Sequence, residues 1–301
     1  MDNLTRYFHQ QGCDTVLHIS GEHLPHPGCD TRLRHMVFID STFEQFLMPW
    51  FKERYQRRSR VVKCLLDIEM RRRNRCYRES LASIDHFFVT TDWVRESLVS
   101  SYGIAGKRIT TCYTGTGNIS RIATIRDSAH PKILFVARHN YLNKGASLLL
   151  EAFRLIRKKH EHAGLVLVGP DRAGLGIPES EERVIVHPFL EWQELERLFN
   201  SASLFAMPSL YEPYGLVYLE AMKCGTPVVC SSTGGMSSIV RDQDCGWILD
   251  ERQPQKLANI LDQALSDPDK CVAMGHKGQS FVEANCSWEK CAEKIQRVCA
   301  G

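Results

Sequence analysis

From Pro131 onward the chain repeats one pattern, a short apolar run followed by a longer amphipathic stretch. The apolar runs fall at 132–137, 164–169, 183–187, 203–207, 227–231 and 246–249, and helix-like stretches fall at 147–160, 192–201, 215–224 and 254–266. In the first of these, Leu149, Ala152, Phe153 and Ile156 share a helical face. Strands and helices alternating this way predict a parallel sheet flanked by helices. An α/β domain is therefore expected over this half.

The first 125 residues are less regular, with strand candidates at 15–19, 36–39, 86–90 and 108–113 between longer helices. A polar, apolar-poor stretch at 121–131 reads as a linker, and 301 residues leave room for about two domains. The expected division is 1–127, 128–286 and a terminal helix within 287–301.

Lys and Arg number 38 against 35 Asp and Glu, with no basic tail, so composition gives no reason to expect a nucleic-acid partner. Twelve cysteines fall short of a disulfide scaffold, and none forms a Cys-x-x-Cys pair. They read as reduced thiols of a cytosolic protein, with Cys64, Cys112, Cys224 and Cys230 as small buried hydrophobes. Residues 1–20 lack the apolar core of a secretory leader, and no apolar run reaches membrane-spanning length. A cytoplasmic location is expected. His23 and His26 have no partner at metal spacing, so no metal is assigned.

The candidate chemistry concentrates in Tyr211-Glu212-Pro213-Tyr214-Gly215-Leu216-Val217-Tyr218-Leu219-Glu220 and the residues after it. Pro213 and Gly215 mark a tight turn, 216–224 reads as a helix, Gly225 suits its left-handed cap, and Thr226-Pro227-Val228-Val229 reads as a buried strand. Free amides at that helix start attract an anion, whereas ionised Glu212 and Glu220 accept hydrogen bonds from hydroxyls. One site can then hold a phosphate and a sugar together.

This Glu-x7-Glu spacing resembles the signature of retaining glycosyltransferases with the two-domain GT-B fold, in particular the family 4 group. The stretch from Ile133 to Gly145, with Ala137-Arg138 and Lys144-Gly145, is similar to the family's strand, Gly-Arg, short loop and Lys-Gly element. The resemblance implies that Arg138 and Lys144 grip the diphosphate of a sugar nucleotide. Independently, fixed cations aimed at the growing charge of a nucleoside diphosphate leaving group lower its barrier without metal or proton transfer.

By the same resemblance Glu212 would hold donor-sugar hydroxyls, Gly215 and Leu216 would offer amides, and Glu220 would accept from the ribose. Thr233-Gly234-Gly235 resembles the family's Gly-Gly turn, where missing side chains let backbone approach the ligand. Ser237 and Ser238 stand where Pro and Glu are common, and Pro188 where a glycine is frequent near the base pocket. The implied architecture is two Rossmann-like domains, the first shortened, with the last helix crossing back onto the first.

Asp40-Ser41-Thr42-Phe43 looks like the Asp-Ala-Thr-Phe element of one branch of these transferases. Asp40 is a candidate for substrate contact or for capping the next helix, and His18 for entering the cleft from a strand end. Residues 52–78 carry eleven Lys/Arg against three Asp/Glu with apolar residues interspersed. That composition suits an anionic membrane surface, an anionic acceptor or simply a solvated face.

The expectation is thus a hexosyl-type, retaining, metal-independent glycosyltransferase of glycan biosynthesis, needing no cofactor beyond its nucleotide-sugar co-substrate. Its acceptor would be a glycan or lipid-linked sugar, at the inner membrane face if 52–78 binds lipid. Relatives carry several dozen more residues before Asp40. The alternative is therefore a non-catalytic sugar-nucleotide-binding subunit whose first domain a partner chain completes.

Overall fold

The computed structural model describes residues 7, 10–19, 24, 33–46, 59–122 and 126–300. The chain divides into two compact units, Met1–Thr114 with Glu289–Gly301, and Gly115–Trp288.

In the first unit β1 (Thr15–Ile19), β2 (Arg34–Ile39), β3 (His86–Val89) and β4 (Ile109–Thr111) form a parallel sheet in chain order. Alternation along the strands sends Val37, Ile39, Phe87 and Val89 to one face, where they meet Met70, Tyr77 and Leu81 of α1 (Arg60–Ala82) and Val94 and Leu98 of α2 (Asp92–Ser100). Met36, Phe38 and Phe88 face the other way with Leu17 and Cys112, against Cys291, Ile295, Val298 and Cys299 of the C-terminal helix (Trp288–Ala300). Lys294 Nζ donates to the Thr111 carbonyl at 2.8 Å, fixing that helix at the end of β4. On α1 the side opposite Met70 carries Val61, Leu65 and Ile68, exposed by 70%, 61% and 59%. Cys64 is exposed there too, against the expectation of burial, because α1 turns only one stripe to the sheet.

The second unit contains β5 (Lys132–Val136), β6 (Gly164–Val168), β7 (Val184–His187), β8 (Leu204–Met207), β9 (Val228–Ser231) and β10 (Gly246–Leu249). They pair in parallel in the order β10-β9-β8-β5-β6-β7. Around them lie α3 (Ala146–Ile156), α4 (Trp192–Ser201), α5 (Leu216–Lys223), α6 (Met236–Gln243), α7 (Pro254–Ser266) and α8 (Pro268–Asn285). Every residue of β8 and β9 is buried, as strands covered on both faces require. The chain grows from β5 through β6 to β7, then returns to β8 on the other side of β5 and continues to β10. Between β5 and β8 the direction of growth reverses, and in open α/β sheets ligands bind at that switch point, beyond the strands' carboxyl ends.

The boundary lies at Thr114 and Gly115, ahead of the expected 127/128. The polar residues read as a linker, and Ser120 just before them, are tied to the second unit by backbone and side-chain hydrogen bonds. Ser120 N–H donates to Glu196 at 2.7 Å and Ile122 N–H to Asn200 Oδ1 at 2.9 Å. Arg126 donates to the Gly225 and Cys224 carbonyls at 2.8 and 2.6 Å, satisfying the end of α5.

Candidate active site

Arg138 follows the carboxyl end of β5, exposed, with its guanidinium carbon 6.0 Å from the Phe189 ring centroid. Beneath it Gly169 has φ +105, and a Cβ there would fall on the Ala137 carbonyl. Only glycine lets the ends of β5 and β6 approach in this way.

The loop after Arg138 is wound tightly. Asn140 takes the left-handed conformation at φ 53, Lys144 N–H donates to the Asn140 carbonyl at 3.0 Å, and Ala146 N–H donates to that of Tyr141 at 3.0 Å. Tyr141 OH donates to Asp171 at 3.2 Å, tying the loop to the one after β6. Leu210 N–H donates to the Asn143 carbonyl at 2.7 Å, joining it to the segment after β8. These ties bring Lys144 onto the carboxylate of Glu212, forming a partly buried ion pair across the switch point.

Glu212 is held from its other side as well. It bridges to Gly234, whose φ is +151 and whose Cβ would strike the Glu212 carbonyl, while Gly235 N–H donates to the Pro213 carbonyl at 3.0 Å. Gly215 caps the start of α5 at φ +76, where a side chain would come within 2.7 Å of the Tyr218 ring and 2.9 Å of Glu212 Cγ. Leu216 opens α5 and is exposed. Ser237 and Ser238, at the family's Pro and Glu positions, turn their hydroxyls to the Gly234 and Gly235 carbonyls at 2.8 and 2.7 Å.

Glu220 lies one helical stretch further along α5. Burial raises its pKa above the ordinary carboxylate value, while the Gly117 backbone amide and the Lys223 ammonium act against that. Lys223 Nζ also donates to Thr116 Oγ1 at 3.1 Å.

Arg138, Lys144, Glu212, Gly215, Leu216, Gly234 and Gly235 thus lie on loops and helix starts following β5, β8 and β9, where contacts join Lys144, Glu212, Gly215 and Gly234, whereas Glu220 lies within α5 against Gly117. Asp40 and His18 belong to the first unit. Asp40 is exposed and accepts from Ser41 Oγ at 3.0 Å. It does not cap the next helix, because Thr42 does: Gln45 N–H donates to Thr42 Oγ1 at 3.3 Å and Thr42 N–H to Gln45 Oε1 at 3.1 Å. His18 stands within β1 with Nε2 3.0 Å from His35 Nδ1 and the rings stacked. Sequence reasoning missed Phe189, Gly169 and Gly117. The only signals were an aromatic after Pro188 and isolated glycines at strand ends, and neither names its partner.

The family described as Glycosyl transferases group 1 matches residues 119–281, more than half of the chain. The chain belongs to that family. D-inositol 3-phosphate glycosyltransferase of Rhodococcus jostii is 28% identical over 236 residues, covering 71% of this chain and 52% of that protein. The chain spans about half the length of the curated relatives it matches. Sucrose-phosphate synthase from Thermosynechococcus elongatus superposes with a TM-score of 0.71 at 21% identity, covering 99% of this chain and 75% of that one. Anabaena HepE, solved with UDP and glucose, superposes with a TM-score of 0.59 at 16% identity, covering 90% and 78%. Those likenesses and the two parallel sheets establish the GT-B fold for this member of the group 1 family.

Proposed function

We propose that this chain is a retaining, metal-independent glycosyltransferase of the hexosyl type, moving a sugar from a nucleoside diphosphate to a glycan or lipid-linked acceptor. The carrying observation is the Lys144–Glu212 ion pair at the switch point, with Arg138 exposed at the end of the neighbouring strand. A diphosphate entering there competes with Glu212 for Lys144 and adds Arg138. The released carboxylate then accepts hydrogen bonds from sugar hydroxyls, while the amides at the start of α5 face the phosphate.

As the glycosidic bond to the diphosphate breaks, charge grows on the leaving phosphate oxygens, and two fixed cations stabilise it in place of a metal. Glu220 receives the ribose hydroxyls. The nucleotide in HepE and the glycosyl transfer named for the R. jostii relative support this reading. Retention and the hexose rest on the Glu212–Glu220 resemblance.

Toward the acceptor, the exposed Val61, Leu65 and Ile68 of α1, with Arg60, Lys63, Arg71 and Arg72 beside them, favour an anionic membrane surface or an anionic glycan. Residues 52–58 of that basic stretch lie outside the described residues. Among the described residues no helix is long and apolar enough to cross a membrane. A peripheral cytoplasmic enzyme of glycan biosynthesis fits this account.

Thermal melting with UDP-glucose, GDP-mannose and ADP-glucose tests donor binding, since a ligand bound only by the native state raises the melting temperature. Hydrolysis of the stabilising donor, unchanged by EDTA, is the expected companion result. Binding without hydrolysis or transfer would favour the non-catalytic subunit that needs a partner chain, and no shift with any donor would remove the donor reading.

A further inference from the structure

Gly117 sits in a stretch fixed at several points. Ile119 is buried, Asn200 Nδ2 donates to the Ser120 carbonyl at 2.9 Å, and Lys223 Nζ holds Thr116 Oγ1 at 3.1 Å. Gly117 itself is not among the residues with positive φ, so its backbone conformation is open to any amino acid. A Cβ built there would meet one residue within 4 Å: Glu220, with Oε1 at 2.5 Å and Cδ at 3.7 Å. What glycine supplies at 117 is therefore room for that carboxylate, not a special turn.

The neighbours of the two glutamates differ in kind. Glu212 is in contact with an ammonium, which a diphosphate can draw away, whereas the group that meets the Glu220 carboxylate is the Gly117 backbone amide, whose position the chain fixes, with the Lys223 ammonium adding a weaker attraction. A carboxylate steadied by an amide keeps lone pairs free for other donors, and two vicinal hydroxyls need two acceptors in a set geometry. Even a methyl at 117 would force the carboxylate off that position.

Resting on the reading of Glu220 as the ribose acceptor, we propose that Gly117 is a positioning residue that sets the Glu220 carboxylate for the ribose diol and so fixes discrimination between ribo- and deoxyribonucleotides. The phosphate side of the site does not depend on it.

The test is calorimetric titration of wild type, Gly117→Ala, Glu220→Ala and the double variant with UDP and GDP, each beside its 2′,3′-dideoxy form. Wild type should favour the ribo form of the nucleotide it binds by about 10-fold or more, in keeping with hydrogen bonds to a charged acceptor. Gly117→Ala should lose most of that preference while binding the dideoxy form as wild type does, and should add no further loss in the Glu220→Ala background. Its melting temperature should stay close to that of wild type, since the backbone there accepts alanine.

Discrimination lost in Glu220→Ala but kept in Gly117→Ala would overturn the positioning role alone. Equal weakening of ribo and dideoxy forms by Gly117→Ala would overturn it too, by revealing a general disturbance of the pocket. Discrimination kept in Glu220→Ala would instead overturn the ribose assignment beneath it, and binding of neither nucleotide by wild type would remove the donor reading and the inference together.

Discussion

The two parallel sheets end in different chemistry. In the second unit strand order reverses between β5 and β8, and Arg138, Lys144 and Glu212 follow the ends of those two strands, with a cation and a carboxylate in contact. Among the described residues of the first unit the order β1-β2-β3-β4 runs one way, and the ends of β2, β3 and β4 finish in hydroxyls and local hydrogen bonds. Ser41 holds Asp40, Thr111 Oγ1 donates to Asp92 at 2.6 Å, and the buried hydroxyls of Thr90 and Thr91 find no partner among the described residues. Where the order reverses, the connections to neighbouring strands diverge and leave a crevice into which charges can converge. The proposed reading accordingly assigns donor recognition to the second sheet.

The largest effects should come from the cations at the reversal. Arg138→Ala and Lys144→Ala are each expected to slow transfer or donor hydrolysis on the order of 10² to 10³-fold, the usual result of removing one preorganised charge stabiliser. Normal turnover by either variant, with wild-type melting, would break the contrast at its strongest point. The two carboxylates sharpen it next. Glu212→Gln should depress turnover more than nucleotide affinity, whereas Glu220→Ala should weaken the free nucleoside diphosphate about 10-fold, which calorimetry with UDP or GDP separates.

Smaller still is the effect expected in the first unit. Asp40→Ala should leave nucleoside diphosphate affinity within about 2-fold, less than a single hydrogen bond typically contributes. A larger loss in calorimetry would mean that the one-directional sheet takes part in donor binding after all.

The subtlest prediction concerns pH. Burial raises the Glu220 pKa, so the nucleotide-free protein takes up a proton more readily folded than unfolded. Its stability contribution is fully present below the unfolded carboxylate value and is lost as pH rises through the folded one. Nucleotide affinity should move the opposite way, falling as the carboxylate is protonated. Glu220→Gln should flatten both trends across that window, and melting and binding curves unchanged by the substitution would contradict the assignment.

How far these features could be read in advance depended on whether their causes were local. The six strands of the second unit announce themselves because each is a short apolar run bounded by polar or glycine residues, and β8 and β9 are buried on both faces. The turn at Gly215 and the helix that carries Glu220 are legible for a similar reason, each being set by adjacent residues. The place of Gly117 was not, because a glycine in a polar stretch gives no hint that a carboxylate on α5 packs against it. The division at Thr114 and Gly115 is hidden for the same reason, since Ser120, Ile122 and Arg126 are held by backbone and side-chain hydrogen bonds to residues far along the chain. His18 and Asp40 are candidates by their chemistry alone. Their partners, His35 and Ser41, were set by strand register in one case and by an adjacent hydroxyl in the other.

The most direct measurement is titration calorimetry of the wild-type chain and the Arg138→Ala, Lys144→Ala double variant with UDP-glucose and GDP-mannose. The account predicts that wild type binds at least one of these donors and that the double variant, melting as wild type does, binds it at least about 100-fold more weakly, since two charge-assisted contacts of about 1.5–3 kcal/mol each are lost. A folded double variant that binds the donor as tightly as wild type would contradict the assignment of the diphosphate to the switch point between β5 and β8.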